Sequence, residues 1–216
     1  NLLKHQYLST FYPDVCKSVG IIATNTEGFH PMCPAQIQSV VITRLEAWLQ
    51  HPDILAILWT GDENIKIMLE IYRQSCLLPI SCDAIMKKAI MLYRNLFLGD
   101  TQHLCIVPSL VYYRKFFLQN LAVIFLSDTP SGLIHQHVSL CLEILQLFKY
   151  LFVEAFEKLE EETQEVLLHT LLDTTTTLLK ESSPNKLLAE NLSAVMMDTI
   201  LFIWIRTKTR KDVLWE

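Results

Sequence analysis

The strongest constraint on the fold is a pair of helical apolar patterns, separated by a proline, between Asp62 and Phe97. Both patterns repeat every three to four residues, which places their apolar side chains on one face of an α-helix. The first stripe comprises Ile65, Leu69, Tyr72 and Cys76, and the second Ile85, Ala89, Leu92 and Leu96. Pro79 ends the first helix because proline lacks an amide hydrogen, and Ser81 can cap the second. The stretch therefore predicts an αα-hairpin.

Similar patterns recur along most of the chain. Helices are predicted over residues 1–12, 35–50, 109–126, 133–156, 157–179 and 186–205. In the helix at 35–50, one apolar side is predicted to carry Ile37, Val41, Leu45, Trp48 and Leu49. Residues 14–34 and 98–108 interrupt the pattern and are expected to be loops where a longer insertion can lie. Only 5 glycines occur among 216 residues, which leaves little material for the tight turns of a β-protein.

These elements predict an all-α fold. Short links that carry proline or serine favour antiparallel neighbours, so two arrangements fit: an irregular bundle or stacked hairpins. We expect the second, an irregular α-solenoid of the HEAT or armadillo kind, although no tetratricopeptide or ankyrin motif is present. Residues 1–216 are taken as a single scaffold domain. Because the first residue is Asn1, we expect a fragment of a longer chain.

Charge, hydropathy and cysteine content limit the cellular compartments and the classes of partner that are expected. A net charge of −5 makes a broad nucleic-acid surface unexpected. No transmembrane segment is predicted, because the apolar run Val195–Ile205 is interrupted by Asp198. The six cysteines form no CxxC pair, which favours reduced thiols and a cytoplasmic protein.

Few residues have the spacing of a chemical site. His137 and Cys141 share a helical face as two metal ligands would, but His135 points elsewhere and no further ligand is near in sequence. A surface histidine beside a core cysteine is the favoured interpretation. His30 and Cys33 have ligand spacing too, within a loop between prolines. We assign no catalytic, cofactor-binding or metal-binding residue and no cofactor.

The remaining conspicuous features have structural explanations. Cys76 and Cys82 flank the hairpin turn and are interpreted as two buried thiols. The acidic run at 157–165 suits the first turn of a helix, where negative charge is favoured. Arg206, Lys208, Arg210 and Lys211 fit a solvated helix end. The run Thr174–Thr177 has no functional interpretation. Phosphate loops and nucleophile elbows are absent, so the chain is not expected to be an enzyme.

Four stretches resemble the N-terminal helical region of Ral GTPase-activating protein (RalGAP) subunits, in the same order. They are HQYLSTFYPDVCK, IKIMLEIYRQSCLLPISCDAIMKKAIMLYRNLF, VSLCLEILQLFKYLF with EEETQEVLLHTLLDTTTTLL, and DTILFIWIRTKTRKDVLWE. Ser9 stands where the family has a proline, and Thr163-Gln164-Glu165 lacks the family's tryptophan. Asp212-Val-Leu-Trp-Glu216 replaces an Arg-Glu-Leu-Trp-Asp-like motif. The α subunit is the closer match.

This resemblance implies a non-catalytic scaffold of a RalGAP-like complex, docking another RalGAP-type subunit or a Ras-like small GTPase. In such complexes a distant C-terminal domain supplies the catalytic asparagine, and nothing here resembles it. Two other hypotheses remain open from the residues alone. One is a generic α-solenoid adaptor that binds peptides or helices in another cytosolic assembly. The other is an all-helical enzyme with a buried metal or small-molecule pocket.

Overall fold

The computed structural model describes residues 34–48, 50–51, 53–54, 62–98, 110–155, 159, 161–180 and 185–210. Within these ranges the regular structure is entirely helical, and no strand occurs. The helices are α1 (Ala35–Trp48), α2 (Asp62–Cys76), α3 (Asp83–Leu98), α4 (Leu110–Phe125), α5 (Ile134–Tyr150), α6 (Glu161–Leu178) and α7 (Lys186–Arg210). The predicted all-α class is confirmed for this part of the chain. The predictions for residues 1–33 and 99–109 lie outside the described residues.

The helices alternate between two rows. In one row α1 packs on α3, α3 on α5 and α5 on α7, while in the other α2 packs on α4 and α4 on α6. Sequential helices also contact each other across the rows, as α2 with α3, α4 with α5 and α6 with α7. The short links between α2 and α3, α4 and α5, and α6 and α7 favour this alternation, because each brings a helix back beside its predecessor.

The central hairpin has the predicted register. Ile65, Leu69, Tyr72 and Cys76 are all buried in α2, as are Ile85, Ala89 and Leu92 in α3. The predicted cap is wrong: Ser81 lies inside a short 3₁₀ turn, Ile80–Cys82, for which Pro79 takes the N-cap position without a side-chain hydrogen bond. The amide of Cys82 bonds to the Pro79 carbonyl at 2.8 Å instead, so the turn satisfies its own backbone.

A second hairpin turn repeats this geometry. Pro130 precedes the 3₁₀ turn Ser131–Leu133 with φ −57° and ψ 141°, close to the −59° and 150° of Pro79. The Leu133 amide bonds to the Pro130 carbonyl at 2.8 Å. In sequence, Pro34 and Pro184 also stand one to two residues before α1 and α7, so the prolines recur about 50 residues apart. This weak repeat matches no known repeat motif.

Helix α1 is rotated relative to its prediction. Its buried residues are Gln38, Ile42 and Leu45, whereas Ile37 and Trp48 are exposed. The cause is the Gln38 amide, whose Nε2 donates to the Ile71 carbonyl and to the Ser75 hydroxyl, both at 2.6 Å. Burying an amide is tolerated when it is hydrogen-bonded, and these bonds fix which face of α1 meets α2.

The core runs between the rows and is formed mainly by aliphatic and aromatic side chains. Between α2 and α4, the rings of Tyr72 and Phe117 pack edge to face with centroids 4.1 Å apart. Between α4 and α6 the contact is the most extensive in the described structure, and α6 carries the small buried residues Thr170, Thr174 and Thr175. The hydroxyls of Thr174 and Thr175 donate to the carbonyls four residues earlier, so neither buried hydroxyl lacks an acceptor.

Candidate interaction surface

The site residues considered from sequence do not form a metal centre. His135 is exposed, whereas His137 and Cys141 are buried, so the expectation of a surface position for His137 is wrong. Both ring nitrogens of His137 have protein partners: Nε2 bonds to the Ile124 carbonyl and Nδ1 contacts the Thr129 hydroxyl. In the described ranges, no group of three or more histidine, cysteine, aspartate or glutamate residues is placed to hold a metal ion. His30 and Cys33 lie outside those ranges.

The cysteines beside the central turn differ in exposure. Cys76 is fully buried, while Cys82 is half-buried, so only one of the two matches the expected buried thiol. Burial raises the pKa of the Cys76 thiol to about 12, and a hydrogen bond with Tyr72 acts in the opposite direction. Burial also raises the pKa of Cys141. Thiols of this kind are poor nucleophiles at neutral pH, since the thiolate is the reactive form.

Ion pairs join neighbouring helices within the rows. Lys88 on α3 pairs with Glu46 on α1 at 3.5 Å, Lys87 on α3 with Glu143 on α5 at 3.7 Å, and Lys149 on α5 with Asp198 on α7 at 2.7 Å. In the other row, Lys115 on α4 pairs with Glu162 on α6. The predicted acidic opening of α6 is therefore present at Glu161 and Glu162, and one of its carboxylates binds an adjacent helix.

An apolar groove of about 390 Å³ lies between α1 and α2 and is called here the α1/α2 groove. Its walls are formed by Val40, Val41, Leu45 and Trp48 of α1 and by Ile67, Met68 and Ile71 of α2, with Arg44 and Asn64 at its edges. Sequence reasoning placed Val41 and Trp48 in the core. The sequence did contain a signal for this exposed surface: apolar residues occupy more than one face of α1, whereas a single buried stripe needs only one.

A second hollow, between α3 and α5, is smaller and more polar. It measures about 300 Å³ and is lined by Ile90, Met91, Arg94, Glu143, Gln146, Leu147 and Tyr150. The guanidinium carbon of Arg94 lies 5.5 Å from the centroid of the Tyr150 ring, within the range of a cation–π contact. This hollow offers mixed polar groups without the continuous apolar wall of the α1/α2 groove.

Helix α7 is apolar enough to raise the question of a membrane. By length and composition, Lys186–Ile205 could span a bilayer, with a mean hydropathy of 1.5 and 28% of the window buried. One such helix is weak support for a membrane segment. Leu188, Leu192 and Met196 are buried, and Asp198 pairs with Lys149 of α5.

Residues 133–216 match the family model described as the RALGAPB N-terminal domain. The match covers α5, α6 and α7, and it includes the last two of the four sequence stretches that resemble RalGAP subunits. It confirms the resemblance to the N-terminal region of a RalGAP subunit and leaves the choice between α and β subunits open. No match is found to a curated protein or to a solved structure.

Proposed function

We propose that this chain is a non-catalytic helical scaffold of a RalGAP-like complex, working in the cytoplasm. The single observation that carries the proposal is the match of residues 133–216 to the N-terminal domain of a RalGAP subunit. That domain is distinct from the catalytic GTPase-activating domain. The proposed role is to hold another RalGAP-type subunit, and through it to support GTP hydrolysis on a Ras-like small GTPase.

The arrangement of the helices supports this role. The helices form two alternating rows, and a proline precedes each helix of one row. This is the pattern expected of stacked hairpins. We propose that they form an irregular α-solenoid of the HEAT or armadillo kind. Solenoids expose long surfaces relative to their volume, and such surfaces suit docking better than catalysis.

The test is affinity purification of the full-length parent protein from cytosol, followed by mass spectrometry of the recovered proteins. Recovery of a RalGAP-type subunit or a Ras-like GTPase at near-stoichiometric amount is the expected result. Recovery of transport or trafficking components in their place would overturn the GTPase-related role and favour a generic solenoid adaptor.

A further inference from the structure

We propose that the α1/α2 groove is the docking site for an amphipathic helix of a partner protein, with an acidic residue facing Arg44. The inference rests on the scaffold role proposed above and adds to it the surface used and the chemistry of the occupant. Three observations carry it: the exposure of the groove, its shape, and the charge at its edge.

Two apolar side chains that line the groove are largely exposed to solvent. Val40 is 61% exposed and Trp48 is 47% exposed, while the polar Gln38 of the same helix is buried. Covering Val40, Trp48 and the adjacent wall of α2 would remove apolar surface from water, which is the main driving force for association. Tryptophan and arginine are also the residue types that most often dominate the binding energy of interfaces.

The shape of the groove favours a helix as occupant. Helices α1 and α2 lie in different rows and already accommodate one helix together, because α3 contacts both of them. The α1/α2 groove offers apolar walls from the same two helices, with Val41 and Trp48 on one side and Ile67 and Met68 on the other. An amphipathic helix that places apolar side chains at i, i+3 or i+4, and i+7 fills a groove of this form.

The charge at the edge selects an acidic partner. Four contacts between row neighbours are each accompanied by a lysine–carboxylate pair, as in Lys88–Glu46 and Lys149–Asp198. Arg44 lies at the edge of the α1/α2 groove, and among the described residues it has no ion-pair partner. A helix that extends this pairing would bring an aspartate or glutamate to Arg44, where the planar guanidinium can bind a carboxylate through two hydrogen bonds.

The proposal is tested by placing a photo-crosslinking amino acid at Val40 in the full-length protein, within the complex purified from cytosol. The expected crosslink joins Val40 to a segment of another protein that has helical apolar spacing and an aspartate or glutamate. Crosslinks confined to this chain, to a second copy of it, or to a segment without an acidic residue would overturn the proposal, as would the absence of any crosslink. The same amino acid at Tyr112, 62% exposed on α4, is the matched control.

Charge reversal provides a second readout. Arg44→Glu is expected to reduce recovery of the crosslinked partner about tenfold, the loss typical of an interface arginine that contributes to binding. Replacing the partner's acidic residue by lysine should restore recovery, and thermal melting of Arg44→Glu should match that of the wild type because Arg44 is exposed. Absence of rescue would overturn the pairing.

The two proposals fail differently. If the wild-type protein recovers a RalGAP-type subunit and Val40→Asp recovers the same amount, the groove proposal is wrong and the scaffold role stands. If the wild-type protein recovers no such subunit, but Val40 crosslinks to an acidic amphipathic helix of another protein, the groove proposal stands and the RalGAP-related role is wrong.

Discussion

The Nε2 atom of His137 donates a hydrogen bond to the carbonyl oxygen of Ile124 at 2.6 Å, joining the start of α5 to the last turn of α4. A carbonyl can only accept, so this nitrogen carries the proton, and Nδ1 accepts from the Thr129 hydroxyl. The imidazole is therefore a second donor to a carbonyl at the end of a helix, which also accepts from the Ser127 amide at 3.3 Å. A buried histidine that looks like a metal ligand in sequence is a structural connection between two helices.

The first prediction concerns pH. Burial lowers the pKa of His137 in the folded protein, and the bond to the Ile124 carbonyl partly opposes the shift. Below about pH 6.5, the ordinary histidine value, the unfolded state therefore binds more protons than the folded state. Stability should fall as pH decreases from 7 to 5, and less steeply in His137→Gln. The measurement is urea unfolding at each pH, with exposed His135→Gln as control; equal pH slopes in the wild type and His137→Gln would contradict the prediction.

The second prediction concerns the polar contact that orients α1. Gln38→Ala removes the donor to the Ile71 carbonyl and the Ser75 hydroxyl, and we expect it to lower the free energy of unfolding by about 1–3 kcal/mol. Chemical denaturation gives this value directly. Gln36→Ala, at an exposed position on the same helix, should change stability by less than about 0.5 kcal/mol. Equal effects from both variants would show that the buried amide does not orient the helix.

The third prediction concerns the core of the central hairpin. Leu69→Ala and Leu92→Ala should each lower the free energy of unfolding by about 2–5 kcal/mol, the usual cost of truncating a buried leucine. Both leucines are 5% exposed, whereas neighbouring Met91 is 51% exposed. Met91→Ala is therefore the control, and thermal melting is the measurement. Unchanged melting of the two leucine variants would mean that the buried stripe is placed wrongly.

The fourth prediction concerns the buried threonines of α6. Thr174→Leu adds volume at a buried position in α6, and we expect it to destabilise the fold by about 1–3 kcal/mol through overpacking. Thr176→Leu makes the same change two residues away at an exposed position and should be nearly neutral. Thermal unfolding of the pair distinguishes them, and a stabilised Thr174→Leu would indicate unfilled space between the helices.

The fifth prediction concerns thiol reactivity. In the folded protein at pH 8, iodoacetamide should modify Cys82 much faster than Cys76, because Cys76 is fully buried and its pKa is raised to about 12. Site-resolved mass spectrometry over a time course gives both rates. Unfolding in urea should bring the two rates close together, which serves as the control. Comparable rates in the folded state would contradict the burial of Cys76.

Several features were accessible from local sequence. The helices α2 to α7 follow the predicted order, because apolar spacing and proline links act over a few residues. The buried stripe of α2 was predicted correctly because Ile65, Leu69, Tyr72 and Cys76 fall at helical spacing on one face. In α1, apolar residues occupy several faces, so spacing gave no unique answer and the predicted face was wrong. The Gln38 bonds that decide it join residues 33 and 37 positions apart.

The sequence by itself determined the helical class, the hairpin turns and the region that resembles RalGAP subunits, since these depend on local spacing and on the order of short stretches. The tertiary structure alone decided that His137 binds the end of α4, that Gln38 is buried, and that α1 and α2 leave an apolar groove with Arg44 at its edge. Each of these depends on where distant segments meet. The helical period determines which residues share a face, but only packing against other helices determines which face is buried.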